Sequence, residues 1–347
     1  MISTKELDPN LLEAEFYDKP FNFSYSSLNK LITSPGIFYT EYILKKREVQ
    51  YGKHLLEGTI IHYLVLENQG FDEKFIVSSE TLPSETNMIV ANYCFDAYAA
   101  MKDPDETLEL CDFEPQILEC LKSIDKHQSL KDTKDGLGDD KRVNKIVEPK
   151  TEEYFKFLKN KQGRTIIDSA MLDKCTRRGE VVTENVKMRE LLGLDLISDG
   201  VKYGVYNELY VEVPAKEGSL FGFKGFIDNL VVDVAKKTVY INDFKTTGKT
   251  LTKFDESVDF WNYWMQAAVY KQLVKDYLKA VLTDEWTIEF RFIVFDKYDQ
   301  LYAFEVTEET MDKWETQLQA AIKEASYHYE SRDFTLPYDF AKGNVKL

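Results

Sequence analysis

The segment from Gly225 to Thr247 constrains the fold of this chain more than any other part. Its two runs Phe223 to Val234 and Thr238 to Phe244 are rich in Val, Ile, Phe and Tyr, which is the composition of β-strands. The polar tripeptide between them, Ala235-Lys236-Lys237, has the length of a hairpin connection. The sequence therefore predicts two neighbouring strands joined by a tight turn.

Three charged residues interrupt these apolar runs. Asp228 lies in the first run, and Asp243 and Lys245 end the second with only Phe244 between them. Side chains alternate between the faces of a strand, so Asp243 and Lys245 project to the same side. The sequence does not determine the register, but pairing through the turn would bring Asp228 near Asp243.

Two carboxylates and a lysine in this arrangement suit chemistry on a phosphodiester. Mg²⁺ prefers carboxylate, water and phosphate oxygens, and a bound metal lowers the pKa of its water. A lysine beside it can orient that water or stabilise an oxyanion. The alternative is a surface hairpin whose strand ends carry charge; the strand context on both sides favours a metal-dependent nuclease site.

Five segments occur in one order along the chain and extend this pattern. They are Tyr25-Ser26-Ser27-Leu28 with Thr33-Ser34-Pro35, Glu57 to His62 with Leu64 to Glu67, Gly225 to Asp228, Asp243 to Thr247, and Gln266 to Tyr270. Together they resemble the PD-(D/E)XK nuclease superfamily in its RecB-like branch, and within that branch the chain is most similar to the RecE type (exodeoxyribonuclease VIII) and to phage exonucleases. The similarity runs from about Phe23 to Phe295, although Ile227 stands where the superfamily name has Pro.

The resemblance implies an α/β (α+β) fold with a restriction-endonuclease-like core, in which helices flank a mixed sheet and a largely helical segment is inserted. Residues 1–22 are expected to form an N-terminal arm and residues 23–347 a single nuclease domain. Within that domain, residues 80–200 are the expected insertion. Residues 202–306 are expected to carry the catalytic sheet and the helix of Gln266.

The resemblance also assigns roles in catalysis. Lys245 would be the catalytic lysine, acting with Asp228 and Asp243. Mg²⁺ or Mn²⁺ would be the cofactor. A lone histidine on a helix is more often structural, so only the resemblance makes His62 a ligand. The implied metal ligands are Asp228, Asp243, the backbone carbonyl of Phe244, His62 and Glu208.

Contacts with DNA are expected from two places. Gln266 and Tyr270 share a helix face because they are four residues apart, and they would contact DNA or brace the active site; ordinary packing is the alternative. Ser26 and Ser27 could bind phosphate at a helix start, where backbone N–H groups gather, but a plain N-cap explains them equally well. Three aromatic residues just before Gln266 could stack on bases, although we expect them to lie in the core: Trp261, Tyr263 and Trp264.

Composition restricts the class of protein. The net charge is −16, which argues against a generic DNA-coating protein, since such proteins are basic. The four cysteines, Cys94, Cys111, Cys120 and Cys175, are scattered, so neither an iron–sulfur cluster nor a disulfide framework is expected. No segment has the length and apolar character of a membrane span, and we expect a cytoplasmic location in a bacterium or a phage-infected host cell.

With this resemblance, the sequence predicts a metal-dependent nuclease, and the resemblance implies an exonuclease acting on linear double-stranded DNA in phage-type recombination or DNA processing. A single-strand-annealing protein is the expected partner, and a homo-oligomeric ring is a further expectation from the resemblance. One alternative is a structure-specific or nicking endonuclease. Another is a non-catalytic DNA-binding or assembly component of the same fold, although such a component has no chemical reason to retain Asp228, Asp243 and Lys245.

Overall fold

The computed structural model describes residues 9–46, 53–67, 70–78, 81–133, 136–196, 203–280 and 282–345. These residues form two compact units. The first combines Met1–Val49 with Val181–Leu347, and the second is Gln50–Glu180. The second unit is therefore inserted in sequence between the two parts of the first.

Eight strands are present in the described residues. They are β1 (Phe21–Phe23), β2 (Phe75–Ser78), β3 (Thr165–Asp168), β4 (Tyr203–Val213), β5 (Phe221–Asp233), β6 (Thr238–Thr246), β7 (Thr287–Phe295) and β8 (Leu301–Glu305). Six of them form one sheet in the order β1-β5-β6-β7-β8, and β4 also pairs with β5. The pairs β1–β5 and β6–β7 are parallel, whereas β4–β5, β5–β6 and β7–β8 are antiparallel.

Helices flank this sheet, so the predicted mixed α/β fold is confirmed. In the first unit they are α1 (Pro9–Tyr17), α2 (Tyr25–Thr33), α3 (Pro35–Phe38), α11 (Val186–Leu192), α12 (Phe254–Phe260), α13 (Tyr263–Tyr277), α14 (Glu308–Ser331) and α15 (Tyr338–Ala341). In the second unit they are α4 (Lys53–His62), α5 (Phe71–Lys74), α6 (Glu85–Ala99), α7 (Glu114–Ser123), α8 (Gly138–Ile146) and α9 (Pro149–Asn160), and α10 (Ser169–Glu184) runs across the boundary. Short π or 3-10 turns are Tyr39–Ile43, Tyr63–Glu67, Leu110–Phe113 and Leu251–Lys253.

The predicted hairpin is present, with β5 and β6 antiparallel on either side of a short turn. Asp233 closes the turn because its side chain accepts a hydrogen bond of 3.0 Å from the backbone N–H of Lys236. Lys237 completes the reversal in the left-handed region, at a φ of 52°. The turn thus sets the register of the two strands that carry Asp228 and Asp243.

The core of the first unit lies between the sheet and helices α2, α13 and α14. Helix α13 connects the parallel strands β6 and β7 and packs against α14, and its first half is enclosed: Met265, Ala267, Ala268 and Val269 are all fully buried. Parallel strands require such a crossover. This packing places the start of α13 next to the end of β6.

The predicted domain limits differ from the units that the structure forms. Within the expected arm, Pro9–Tyr17 is helical and Phe21–Phe23 joins the sheet, because Leu12 and Phe16 are apolar residues on one helix face and pack inward; residues 1–8 lie outside the described part. The segment 181–196, placed in the insertion by sequence, belongs to the first unit, since helix α11 bonds to β5 through the Leu192 carbonyl.

The second unit is largely helical and also contains the two-stranded parallel sheet of β2 and β3. The carboxylate of Asp168, at the end of β3, caps the following helix by accepting the N–H of Met171 at 2.6 Å. Its other oxygen accepts the N–H of Leu82 at 3.1 Å. No helix within the described ranges of the chain is both long and apolar enough to cross a membrane.

The four thiols give a direct test of packing in the second unit. Burial raises the pKa of Cys94 and Cys175 to about 12 and that of Cys120 to about 11, whereas Cys111 is exposed. Thiolates are the reactive species, so we expect a thiol reagent at pH 8 to modify one cysteine in the folded protein and four after denaturation. Rapid modification of more than one thiol before unfolding would contradict this packing.

Candidate active site

Two carboxylates face each other across strands β4 and β5. In this antiparallel ladder Asn207 pairs with Asn229 and Leu209 with Ile227, which places Glu208 directly opposite Asp228. A carboxylate oxygen of Glu208 lies within 4.8 Å of one of Asp228. Asp228 is buried and Glu208 is half-buried. Like charges directly opposite one another destabilise a strand pair, and a cation bound between the side chains would offset this.

The backbone is strained at the same position. Glu208 lies inside a strand but has a φ of 48°, a left-handed conformation that costs a non-glycine residue about 1–2 kcal/mol. The alternation of side chains between the two faces of β5 is also interrupted here. The residues that face the core have odd numbers before this point (Phe221, Phe223 and Ile227) and an even number after it (Leu230). Asp228 is therefore buried although it follows the buried Ile227. Strain of this kind persists where the surrounding structure enforces it, often at functional sites.

Asp243 joins these two acids from the third strand. The last pair of the β5–β6 ladder is Asn229 with Asn242, and the same register extended by one residue brings Asp228 beside Asp243. The ladder ends there because the Asp228 carboxylate accepts the N–H of Phe244 at 2.7 Å. The structure thus brings Glu208, Asp228 and Asp243 together at neighbouring positions of β4, β5 and β6.

Asp243 is fully buried and is held on both sides. Its Oδ1 accepts a hydrogen bond of 2.8 Å from Nε2 of Gln266 on α13. Its Oδ2 forms an ion pair with the ammonium group of Lys245. A buried carboxylate requires such partners, because an ion without them loses the solvation of water.

Lys245 extends into the same site from the end of β6. Its Nζ lies 3.3 Å from the carbonyl oxygen of Phe244 and 5.0 Å from the ring centre of Tyr263. Burial lowers the pKa of Lys245, but the carboxylates of Asp243 and Asp228 more than offset this, and the pKa stands above its usual range. The group is therefore a permanent cation at neutral pH, facing the Tyr263 ring in a cation–π contact.

The donor set of this site fits a hard divalent cation. Carboxylate oxygens of Glu208, Asp228 and Asp243 are the ligands that Mg²⁺ and Mn²⁺ accept. The carbonyl of Phe244, another predicted ligand, lies beside the ammonium group of Lys245. His62 ends helix α4 in the second unit, and its predicted role as a metal ligand stays a prediction.

The helix motif predicted to brace the site or bind DNA lies behind the carboxylates. Gln266 and Tyr270 are both buried, and Gln266 holds Asp243 directly. Burial raises the pKa of the Tyr270 phenol well above its usual range, and Asp243 and Asp228 raise it further. Only Gln266 is bonded to one of these acids within the described residues, so the predicted bracing role of Tyr270 and the predicted contacts of both side chains with DNA stay predictions.

Gly225 allows Tyr270 to occupy this position. A Cβ atom at Gly225 would lie 2.9 Å from Cε1 of the Tyr270 ring, which is too close for carbon atoms. We therefore expect Gly225→Ala to lower the free energy of unfolding by about 1–3 kcal/mol, measured by urea denaturation. Gly248→Ala is the matched control because nothing lies within 4 Å of its Cβ position. Equal stabilities of the two variants would contradict this packing.

A row of amides that the sequence reasoning missed crosses the same three strands. Nδ2 of Asn242 donates to Oδ1 of Asn229 at 2.7 Å, and Nδ2 of Asn229 donates to Oδ1 of Asn207 at 2.8 Å. The two donors also reach the carbonyls of Leu191 and Leu192 at 3.1 Å each. These bonds tie β4, β5, β6 and the end of α11 into one register beside the carboxylates.

A signal for this row exists in the sequence. Each acid is adjacent to an asparagine, as Asn207-Glu208, Asp228-Asn229 and Asn242-Asp243. Neighbouring residues of a strand face opposite sides, so three such dipeptides on three strands indicate an amide row behind a carboxylate row. Tyr263, which contacts Lys245, has no comparable signal because its position depends on the path of the chain between α12 and α13.

The serines at the start of α2 form a helix cap. Ser24 is the N-cap, and Ser27 completes a capping box with it, with 2.9 Å between the Ser24 N–H and Oγ of Ser27. Ser27 is buried, whereas Ser26 is exposed. A plain cap therefore accounts for Ser27, and the predicted phosphate contacts of Ser26 and Ser27 stay predictions.

Among solved structures, the chain has distant structural similarities. A crystal structure from Eubacterium rectale named "Putative exonuclease" superimposes with a TM-score of 0.42 at 11% sequence identity, covering 93% of this chain and 85% of that chain. No protein-family model matches the chain, and no curated protein matches it.

Proposed function

We propose that this chain is a Mg²⁺- or Mn²⁺-dependent deoxyribonuclease that hydrolyses phosphodiester bonds by attack of water. The observation that supports this most is that Glu208 faces Asp228 across β4 and β5, with carboxylate oxygens within 4.8 Å of each other. Asp243 follows beside Asp228 in the register of β6 and pairs with the Lys245 ammonium group. Strain and like-charge repulsion both concentrate at this point of the sheet. A cation bound there would offset the repulsion.

The residues of the chain have separate tasks in this proposal. The three carboxylates hold the metal, which when bound lowers the pKa of its water and neutralises charge on the phosphate. Gln266 keeps the Asp243 carboxylate in one orientation through its hydrogen bond. Lys245 supplies a fixed positive charge that orients the attacking water or stabilises the developing negative charge on the phosphate oxygens.

The finer parts of the proposal come from the sequence resemblance. They are an exonuclease acting on linear double-stranded DNA in phage-type recombination or DNA processing, a single-strand-annealing partner, a ring-shaped homo-oligomer, and a cytoplasmic location in a bacterium or an infected host cell. A structure-specific or nicking endonuclease is the second candidate, because the same carboxylates and lysine would serve it equally well.

The test uses purified protein with Mg²⁺ or Mn²⁺ and two DNA substrates of the same sequence, one linear duplex and one covalently closed circle. We expect the linear duplex to be degraded and the circle to remain intact, because an exonuclease needs an end. Cleavage of the circle would favour the endonuclease. If neither metal supports cleavage of any DNA or RNA substrate, the enzyme proposal fails and a non-catalytic DNA-binding role replaces it.

A further inference from the structure

An exposed aromatic pair lies at the turn between helices α12 and α13. Phe260 is 71% exposed and Trp261 is 52% exposed, and their rings meet edge to face with centroids 4.7 Å apart. Trp261 was expected in the core, but it lies at the surface, whereas Tyr263 and Trp264 pack against the core. Two large aromatic side chains in water at one turn lack a packing role, and such patches commonly mark a binding surface.

The pair is held in place by bonds to its backbone. The carbonyl of Trp261 accepts hydrogen bonds from the Tyr25 hydroxyl and, at 3.3 Å, from Nδ2 of Asn29. The next residue, Asn262, has a φ of 55° and donates from Nδ2 to Oδ1 of Asn29 at 2.8 Å. The turn is thus anchored to helix α2 through main-chain atoms, and the rings of Phe260 and Trp261 remain available.

The turn is also attached to the strand that carries Asp243 and Lys245. The hydroxyls of Thr247 and Ser257 lie 3.0 Å apart and join the end of β6 to α12. On the other side of the turn, the ring of Tyr263 faces the Lys245 ammonium group at 5.0 Å. Tyr263 follows Trp261 by two residues, which is at most about 7 Å of chain. The backbone of Trp261 therefore lies close to that of Tyr263, the residue whose ring contacts Lys245 at the candidate active site.

We propose that Phe260 and Trp261 stack on unpaired bases of the DNA strand whose phosphate is held at Asp243 and Lys245. This rests on the proposed nuclease function and identifies where the substrate strand lies. Every base has an aromatic face, so stacking tolerates any sequence. A strand end separated from its complement offers such faces, whereas a paired duplex offers them only at its terminus.

The test compares two duplexes that differ only in a short single-stranded overhang, which carries bases in one and abasic sugars in the other. Binding is measured by fluorescence anisotropy in EDTA, so cleavage does not interfere. We expect the wild-type protein to bind the base-bearing overhang about tenfold more tightly than the abasic one. The double variant Phe260→Ala/Trp261→Ala should bind both equally, and Trp261→Phe should retain most of the preference.

Tyr277→Ala is the matched control. Tyr277 is 53% exposed and ends the helix that Tyr263 begins, about 20 Å from the active-site end. This variant should keep the preference for bases. Equal binding of both overhangs by wild type, a preference kept by the double variant, or the same loss in Tyr277→Ala would each overturn the inference.

The same preparation distinguishes this inference from the proposed function. A wild-type protein that degrades linear duplex but does not discriminate bases from abasic sugars overturns the stacking inference and leaves the nuclease proposal standing. A protein that discriminates them but cleaves nothing with Mg²⁺ or Mn²⁺ overturns the nuclease proposal and supports base binding by Phe260 and Trp261.

Discussion

Replacing Asp243 with Asn is expected to lower the rate of DNA hydrolysis by about 10³-fold or more. The substitution keeps the shape of the side chain but removes the charge that a divalent metal and Lys245 both require. Lys245→Met should cause a comparable loss, because it removes the fixed positive charge beside the phosphate. The rate constant of a single turnover on linear duplex, at saturating Mg²⁺, measures the effect on chemistry apart from DNA binding.

Stability must be followed in the same variants. Asp243 and Lys245 form a buried ion pair, and removal of one partner of such a pair costs about 3–5 kcal/mol because a buried charge remains. The double variant Asp243→Asn/Lys245→Met removes both charges and should be more stable than either single variant. Its activity should be no lower than theirs, since residues that act as a unit do not contribute additively.

Asp233→Asn provides the control for these effects. Asp233 is also a buried carboxylate of the sheet, but it lies at the hairpin turn and bonds to Lys236. We expect this variant to keep its rate constant even if its stability falls. Retention of wild-type activity by Asp243→Asn would exclude Asp243 from the chemistry and, with it, the proposed site.

Glu208 should show opposite effects on stability and on metal binding. Glu208→Gly removes the strained side chain from a φ of 48° and also removes the carboxylate that faces Asp228. We expect the free energy of unfolding in EDTA to rise by about 1 kcal/mol. Relief of the backbone strain raises it, and the greater entropy that a glycine loses on folding offsets part of this gain. Glu208→Gln retains the strain and should gain only from the loss of repulsion.

The stability that Glu208→Gly gains over wild type in EDTA should disappear when metal is present. A ligand that binds only the folded state stabilises it by RT ln(1 + [L]/Kd), about 2.7 kcal/mol at one hundred times Kd. Wild-type protein should therefore melt at a higher temperature with Mn²⁺ than with EDTA, whereas Glu208→Gly should respond weakly. Differential scanning calorimetry of both proteins with and without Mn²⁺ measures this. An equal response to Mn²⁺ in the two proteins would show that Glu208 is not a ligand.

Local sequence patterns were sufficient for the hairpin of the six-stranded sheet. The predicted runs Phe223 to Val234 and Thr238 to Phe244 form β5 and β6 almost at the predicted residues, because β-branched and aromatic residues favour strands and short polar segments favour turns. Asp243 and Lys245 were predicted to share a side of β6 from alternation alone, and the structure brings their side chains into an ion pair.

Local patterns did not predict the positions at which β4 and β5 both depart from regular strand geometry. Alternation along β5 would place Ile227 and Leu230 on opposite faces, but both lie in the same core, and the irregular conformation of Glu208 on the neighbouring strand accompanies this slip. The structure ends the inserted unit at Glu180 rather than near residue 200 for a related reason. Helix α11 reads as part of a helical region, but the side chains of Asn229 and Asn242 bond to its last two carbonyls and attach it to the sheet.

The sequence by itself determined the hairpin of β5 and β6 and the types of residue available for chemistry, because these depend on apolar periodicity and turn composition within short windows. The fold class was implied by the resemblance of its ordered motifs to a known superfamily. Only the tertiary structure decided that Glu208 stands opposite Asp228, that Gln266 holds Asp243, and that Trp261 is exposed. These contacts join residues far apart in sequence, and their energies depend on register, burial and the approach of other elements, none of which a local window contains.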